Sequence, residues 1–271
     1  MTNIPYLIKQ NQSRWSDCQI TPSRKVEVML VARRLVAEYA KNQYLALEKA
    51  TGVPWFIVAV IHEREADQNW ACSLAQGDRW NRVSTHVPRG RGPFKSFFDA
   101  GVDSLVKCPP FASRWKDWTP GGALTLTVLY NGTGYEDFHH EASPYVWGAT
   151  NHEEWGKYVG DGVYNAHVWD TQLGCAAMLL GMIELDPSIK FADSPQPATQ
   201  NPFDTLWVQQ QLNKIGYNLV ADGINGTKTF LAIKDFQSKH HIAVDGQAGP
   251  VTIAELQSSI DPGIAGAKKS P

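Results

Sequence analysis

The chain has 271 residues, with 25 Lys+Arg against 27 Asp+Glu and a formal net charge of −2. That balance excludes a nucleic-acid binder working through bulk positive charge. Hydrophobic residues make up 43% and charged residues 19%, which excludes a disordered chain and fits one large domain or two unequal ones. The ten Trp, nine Tyr and ten Phe stand out, because aromatic faces suit flat amphipathic ligands such as sugars and also fill cores.

The segment Met1-Thr2-Asn3-Ile4-Pro5-Tyr6-Leu7-Ile8-Lys9 lacks a charged start followed by an apolar run, so no signal peptide is expected. The first twenty residues carry no functional signal. Thr21-Pro22 reads as a helix cap followed by the first helical residue. A helix is predicted from there to about Ala50, with Val28, Val31, Ala32, Leu35, Val36 and Tyr39 as its buried stripe. Gly52 breaks it. Pro54 starts a second helix, Trp55 to about Glu65, apolar nearly all round and so central to a domain. Its apolar run, Pro54 to Ile61, is too short to span a bilayer.

This second helix ends in His62-Glu63-Arg64-Glu65, and Glu65 continues the stripe of Ile57, Val58 and Ile61. A carboxyl there is partly desolvated, which raises its pKa toward that of a general acid. The alternative is an ion pair with Arg64 or Arg82. Next, Gln76-Gly77-Asp78 reads as a turn and Arg79 to Val87 as a short β-hairpin, followed by the rigid basic loop Pro88 to Pro93. Glycoside hydrolysis needs a second polar group across the sugar ring, and Asp78 is the candidate base or electrostatic stabiliser, with Thr85 positioning water. Arg79, Arg82, Arg89, Arg91 and Lys95 crowd this segment and suit an anionic polymer, with a solvated flap as the alternative. Arg82 is taken as a substrate contact.

Thr119-Pro120 caps a helix carrying Leu124, Thr127 and Val128 and ending at Tyr130-Asn131-Gly132-Thr133-Gly134-Tyr135. Asn131 at that end can offer an amide to a sugar acetamido group, or the segment is only a Gly-rich cap. Tyr145, Trp147, Trp155, Tyr158 and Tyr164 offer stacking faces or core. Trp80 and Trp147 are expected to flank a cleft, and Trp55 to be core. The helix from about Thr171 to Leu185 reads as structural. Cys18, Cys72, Cys108 and Cys175 have no C-x-x-C or metal spacing and read as mostly buried thiols, one bridge being left open.

Four Pro between Pro187 and Pro202 read as an extended linker. The domains are therefore 1–186, a linker at 187–202, 203–262, and a flexible tail at 263–271. In the last domain Asp222-Gly223-Ile224-Asn225-Gly226-Thr227-Lys228-Thr229 recurs as Asp245-Gly246-Gln247-Ala248-Gly249-Pro250-Val251-Thr252. Each copy is a tight glycine turn that opens a helix. Val208, Leu212 and Ile215, then Phe230, Ile233 and Phe236, then Val251, Ile253 and Leu256 give three short helices around a small core.

Gln210 to Tyr217, Asp222-Gly223, Ala232 to Gln237 and Val244 to Pro250 resemble the peptidoglycan-binding module of bacterial and phage cell-wall enzymes, which implies wall anchoring. The N-terminal domain resembles the lysozyme-like superfamily. Ile61-His62-Glu63-Arg64-Glu65-Ala66 and Leu129-Tyr130-Asn131-Gly132 look like the catalytic-Glu and Tyr-Asn-x-Gly motifs of goose-type lysozymes and lytic transglycosylases, with Ala66 where Ser is usual. Asp78 and Thr85 resemble the hairpin Asp and Thr of phage-type lysozymes, at a longer spacing from the Glu. The helix end, the Gly-Asp turn and Thr85-His86-Val87-Pro88 are also similar to a group of bacterial and phage lysozyme-like proteins.

The expected fold is mainly α: an α+β lysozyme-like domain with a small β-hairpin, then a three-helix binding domain. The resemblance implies a muramidase cutting the β-1,4 bond between N-acetylmuramic acid and N-acetylglucosamine. Glu65 would be the acid, with Tyr130, Asn131 and Tyr145 on the glycan. A lytic transglycosylase, a chitinase- or chitosanase-like glycosidase and a non-enzymatic wall-binding protein remain alternatives. No metal or cofactor is expected, since His62-Glu63 does not continue as H-E-x-x-H. The expected partner is peptidoglycan, with no nucleic acid and no membrane insertion, for a monomer. Synthesis in the cytoplasm and action on the wall in the periplasm, after release by a holin or a secretion system, complete the expectation.

Overall fold

The structure is a computed structural model and describes residues 2–160, 162–193, 205–223, 226–246, 248 and 250–260. The chain divides into two compact units, 1–197 and 198–271. The first is mainly helical, with α1 (Ile4–Ser16), α2 (Lys25–Leu35), α3 (Glu38–Thr51) and α4 (Trp55–Ala66) leading to α5 (Phe97–Lys107) and α6 (Pro120–Asn131). The short α7 (Pro144–Trp147) precedes an antiparallel pair, β1 (Lys157–Gly160) and β2 (Val163–Asn165), and α8 (Cys175–Leu185) closes the unit. No single helix among the described residues is long and apolar enough to cross a membrane.

α4 is the core. Every residue from Trp55 to His62 is buried, as an all-round apolar helix requires. α3 and α8 pack against it, and α3 stops where Gly52 takes φ +75. The single helix expected from residue 21 to 50 is two helices, because α2 packs on α8 whereas α3 packs on α4 and α5. One straight rod cannot serve both directions. The break at Ala37, ψ 141, resets the helical phase, so Tyr39 is 64% exposed rather than part of the buried stripe.

α1 forms where no element was predicted. Asn3 caps it by accepting the Tyr6 N–H. Its buried Asn11 donates to Thr125 Oγ1 at 3.0 Å. Gly121 permits the close approach, since a Cβ there would stand 2.5 Å from the Ile8 carbonyl oxygen.

The hairpin expected at 79–87 is not one. Cys72 and Arg79 share an isolated bridge, and the rest is a loop folded on Ser84, whose N–H donates to the Arg91 carbonyl (2.8 Å) and whose hydroxyl donates to the Pro88 carbonyl (3.0 Å). Within it Trp80 packs on the core and Ser84 is buried while the residues between and after them are exposed, so no regularly alternating buried face sets a strand register. The two-stranded sheet lies instead at β1–β2, with Tyr158 opposite Tyr164.

The segment from Pro187 does not begin a free linker. Ile189 is buried, Phe191 meets Trp15 and Phe56 edge-on at 5.2 and 5.3 Å, and the Ala192 N–H donates to the Trp118 carbonyl. Apolar side chains at 189 and 191 dock this stretch despite its Pro content. The remainder of the expected linker and the tail at 263–271 lie outside the described residues. All four cysteines are free thiols.

The second unit is α9 (Thr205–Lys214), α10 (Thr227–Lys239) and α11 (Pro250–Ile260) around Val208, Leu212, Ile233, Phe236 and Leu256. The sequence repeat has a physical basis. Gln209 Nε2 donates to Asp222 Oδ1 (2.8 Å) and Thr229 Oγ1 (3.0 Å), and Gln209 Oε1 accepts the Gly223 N–H (2.8 Å). Gln237 repeats this with Asp245 (2.7 Å), Thr252 (3.0 Å) and the Gly246 N–H (2.8 Å). Each glycine turn is thus latched by a buried amide on the preceding helix. Ile224, Asn225, Gln247 and Gly249 of the repeat lie outside the described residues.

Candidate functional site

Glu65 sits in the last turn of α4. The helix ends at Asp67, φ 50, whose N–H donates to the Glu63 carbonyl. The Gln76–Asp78 turn butts against this end. Gly77 has φ +67, and a Cβ there would stand 2.7 Å from the Glu65 carbonyl oxygen, so both its conformation and its contact demand glycine.

The Glu65 side chain is half-buried, and the Tyr145 hydroxyl donates to Oε1 at 2.8 Å. Among the described residues no cation forms an ion pair with it. Arg64 lines the cleft and is engaged elsewhere: Nη1 donates to the Leu173 carbonyl (3.1 Å), Nη2 lies 3.5 Å from Asp170 Oδ2, and the guanidinium sits 4.5 Å from the Tyr145 ring centre. Desolvation pushes the Glu65 carboxyl up to about 7, against the Tyr145 hydrogen bond and the charge of Arg64. A carboxyl in that range exchanges protons near neutral pH.

Tyr145 also lines a cleft of about 700 Å³. One side is the end of α6, with Asn131, Gly132 and Gly134. The other is the β1–β2 pair, with Lys157, Tyr158 and Tyr164. Asn131 is exposed at the edge. The Tyr130 hydroxyl is buried without a hydrogen-bond partner, and burial followed by the nearby Glu65 charge pushes it well above the usual tyrosine range. Of the four expected residues, Asn131 and Tyr145 line the cleft, whereas Glu65 and Tyr130 do not; Glu65 is joined to it through the Tyr145 hydroxyl. Tyr145 is itself buried, and its hydroxyl is spent on orienting Glu65.

Asp78 is placed differently from a free base. Its Oδ2 accepts the N–H groups of Thr85 (2.7 Å) and His86 (3.0 Å), and its Oδ1 pairs with His86 Nδ1 at 2.7 Å. These bonds, led by the His86 N–H, hold its carboxyl down at about 2. Thr85 is exposed, its hydroxyl 3.5 Å from the same carboxylate. Arg82 is exposed, and Arg91 of the basic run is paired with Asp103.

Both tryptophans expected beside the cleft are displaced from it. Trp147 is fully buried in the core, because α7 packs its apolar face against α6 and α8. Trp80 packs against the core and donates Nε1–H to the Trp70 carbonyl at 2.8 Å. Neither lines the cleft.

Several cleft residues were not singled out from sequence. Asp170 accepts Lys157 Nζ at 2.8 Å and faces Arg64. His139 stacks on Tyr164 at 3.6 Å between ring centres. A signal existed for this wall: Asp161-Gly162 between Val159 and Val163 is a strong hairpin dipeptide. His62, buried between the Tyr44 hydroxyl and the Asn69 carbonyl, is pushed down to about 4 by burial and is a core residue. No group of three or more His, Cys, Asp or Glu among the described residues is arranged to hold a metal ion.

Residues 204–256 match the family model described as "Putative peptidoglycan binding domain". No curated protein and no solved structure matches the chain. The family match covers the C-terminal unit and associates this chain with peptidoglycan.

Proposed function

We propose that the chain is a peptidoglycan hydrolase whose first unit is a lysozyme-like muramidase, cutting the β-1,4 bond between N-acetylmuramic acid and N-acetylglucosamine. The observation that carries this reading is Glu65. A carboxyl raised to about 7 and held by the hydroxyl of Tyr145, a residue that lines the 700 Å³ cleft, has the proton affinity that protonating a glycosidic oxygen requires. The wall-type module on the same chain supplies the substrate class. Asn131 holds the glycan at the α6 end of the cleft, with Tyr130 buried behind it.

A lytic transglycosylase is the second reading, favoured by one observation: the Asp78 carboxylate is committed to Thr85 and His86. Glu65 then acts alone, as acid and next as base, and the muramyl 6-hydroxyl takes the place of water. Mass spectrometry of digested peptidoglycan separates the two. Reducing-end products indicate hydrolysis, and anhydro-muropeptides indicate transglycosylation. Cut stem peptides with intact glycan strands would overturn both. Glu65→Gln is expected to abolish lysis while leaving retention on purified walls intact, and full lysis by that variant rejects the assignment.

A further inference from the structure

The cleft lined by Tyr145, the partner of Glu65, contains a charge arrangement that protonating a glycosidic oxygen does not require. Two cations and one anion line it: Arg64, Lys157 and Asp170. The Asp170 side chain is 4% exposed and is shared between Lys157 Nζ (2.8 Å), Arg64 Nη2 (3.5 Å) and the Gln172 N–H (3.1 Å). Arg64 is 6% exposed and already donates to Leu173. Lys157 differs. Its side chain is 30% exposed, and an ammonium has three donors, of which Asp170 takes one. Among the described residues Asp170 is the acid paired with Lys157, and it is shared with Arg64, so Lys157 brings donors to the cleft beyond the one that Asp170 takes.

The adjoining wall is aromatic. Tyr158 lies so close to Gly134 that a Cβ there would stand 2.8 Å from its hydroxyl oxygen. Its hydroxyl bonds His139 Nε2 at 3.1 Å, which fixes the ring. Phe138, at the mouth, is 77% exposed. A fixed aromatic face next to a partly exposed cation suits a ligand that is flat and apolar on one side and anionic at one edge.

We propose that this cleft binds a carboxylate-bearing aminosugar, with the pyranose face on Phe138 and Tyr158 and the carboxylate paired with Lys157 Nζ. The proposal rests on the glycosidase reading of Glu65 and makes Lys157 a specificity-determining residue. A neutral N-acetylglucosamine oligomer uses the wall but not the ion pair. The carboxylate comes either from the lactyl group of the muramyl sugar or from the stem peptide.

The test uses the full chain carrying Glu65→Gln, which stops turnover, with and without Lys157→Gln. Titration calorimetry compares three soluble oligomers of equal length: a neutral N-acetylglucosamine oligomer, a peptide-free glycan strand with free lactyl carboxylates, and a strand with intact stem peptides. The C-terminal unit is common to all samples. Lys157→Gln is expected to weaken an acidic oligomer about tenfold and the neutral one less than twofold, and Lys157→Arg is expected to restore binding. Loss confined to the peptide-free strand assigns the lactyl carboxylate, and loss confined to the other assigns the stem peptide. No loss with either overturns the proposal. Should Lys157→Gln fail to fold, the Glu65→Gln chain alone decides. It must prefer acidic over neutral oligomers, and that preference must shrink as salt rises; equal affinity overturns the proposal. Glycan cleavage by the unsubstituted chain with no Lys157 effect sinks this inference and spares the Glu65 reading. Absence of glycan cleavage sinks that reading itself.

Discussion

In the proposed function Glu65 couples activity and stability through one proton. Its carboxyl titrates near 7 in the folded chain against an ordinary value of 4.5. A raised folded-state value means that stability is fully present below about 4.5 and is lost as pH rises through 7. Glu65→Gln carries no charge to desolvate. It is expected to melt with the parent at pH 4 and to exceed it at pH 8 by about 1–3 kcal/mol, read by thermal unfolding at the two pH values. In the proposed function activity runs in the same direction, since the acid must be protonated, and falls as pH rises through 7. Tyr145 donates its hydrogen bond to the charged form. Tyr145→Phe therefore raises the Glu65 pKa further, and the alkaline limb of the pH–rate profile moves to higher pH; a limb that moves down contradicts the geometry. Glu65 was legible in sequence because the helical period alone puts it on the buried stripe of α4. The Arg64–Asp170 pair was not, since 106 residues separate its members and nothing local couples them.

The end of α4 and the 76–78 turn are joined by backbone contact rather than by side chains. Gly77→Ala adds a Cβ at positive φ against the Glu65 carbonyl. It is expected to cost about 1–2 kcal/mol, seen as a lower urea midpoint at unchanged slope, and to slow turnover because the helix end shifts. In the second unit, Gln237→Leu removes three hydrogen bonds that hold the second glycine turn. A loss of about 2–4 kcal/mol is expected, with weaker retention on purified walls. The D-G-x-x-G-x-x-T repeat was plain in sequence, but its latch was not. Gln209 stands 13 residues before Asp222 and Gln237 only 8 before Asp245, so the amide falls outside the aligned repeat. The misplaced hairpin has a similar origin: residues 79–87 have strand-like alternation in sequence but bury only Ser84 and part of Trp80, whereas β1–β2 has a cross-strand Tyr158–Tyr164 pair.

The two compact units separate catalysis from retention in the proposed function. Truncation after residue 197 is expected to leave cleavage of soluble glycan strands within about threefold of the full chain, and to slow lysis of insoluble walls about tenfold or more, because tethering raises local concentration. Turbidity assays on walls, set against product formation from soluble strands, check this. Equal losses in both assays would show that the C-terminal unit supports the fold of the first.

Composition, period and motif determined the mainly helical class, the buried α4 with Glu65 at its end, and the three-helix C-terminal unit. Each rests on interactions within a few turns of chain, which a sequence displays directly. The tertiary structure decided the rest. It broke one expected helix into α2 and α3, buried Trp147, and docked Ile189 and Phe191 on the first unit. It also built the cleft from α6, Tyr145, β1–β2 and Asp170. Those outcomes depend on which faces meet across distant segments, and on burial that local propensity does not encode.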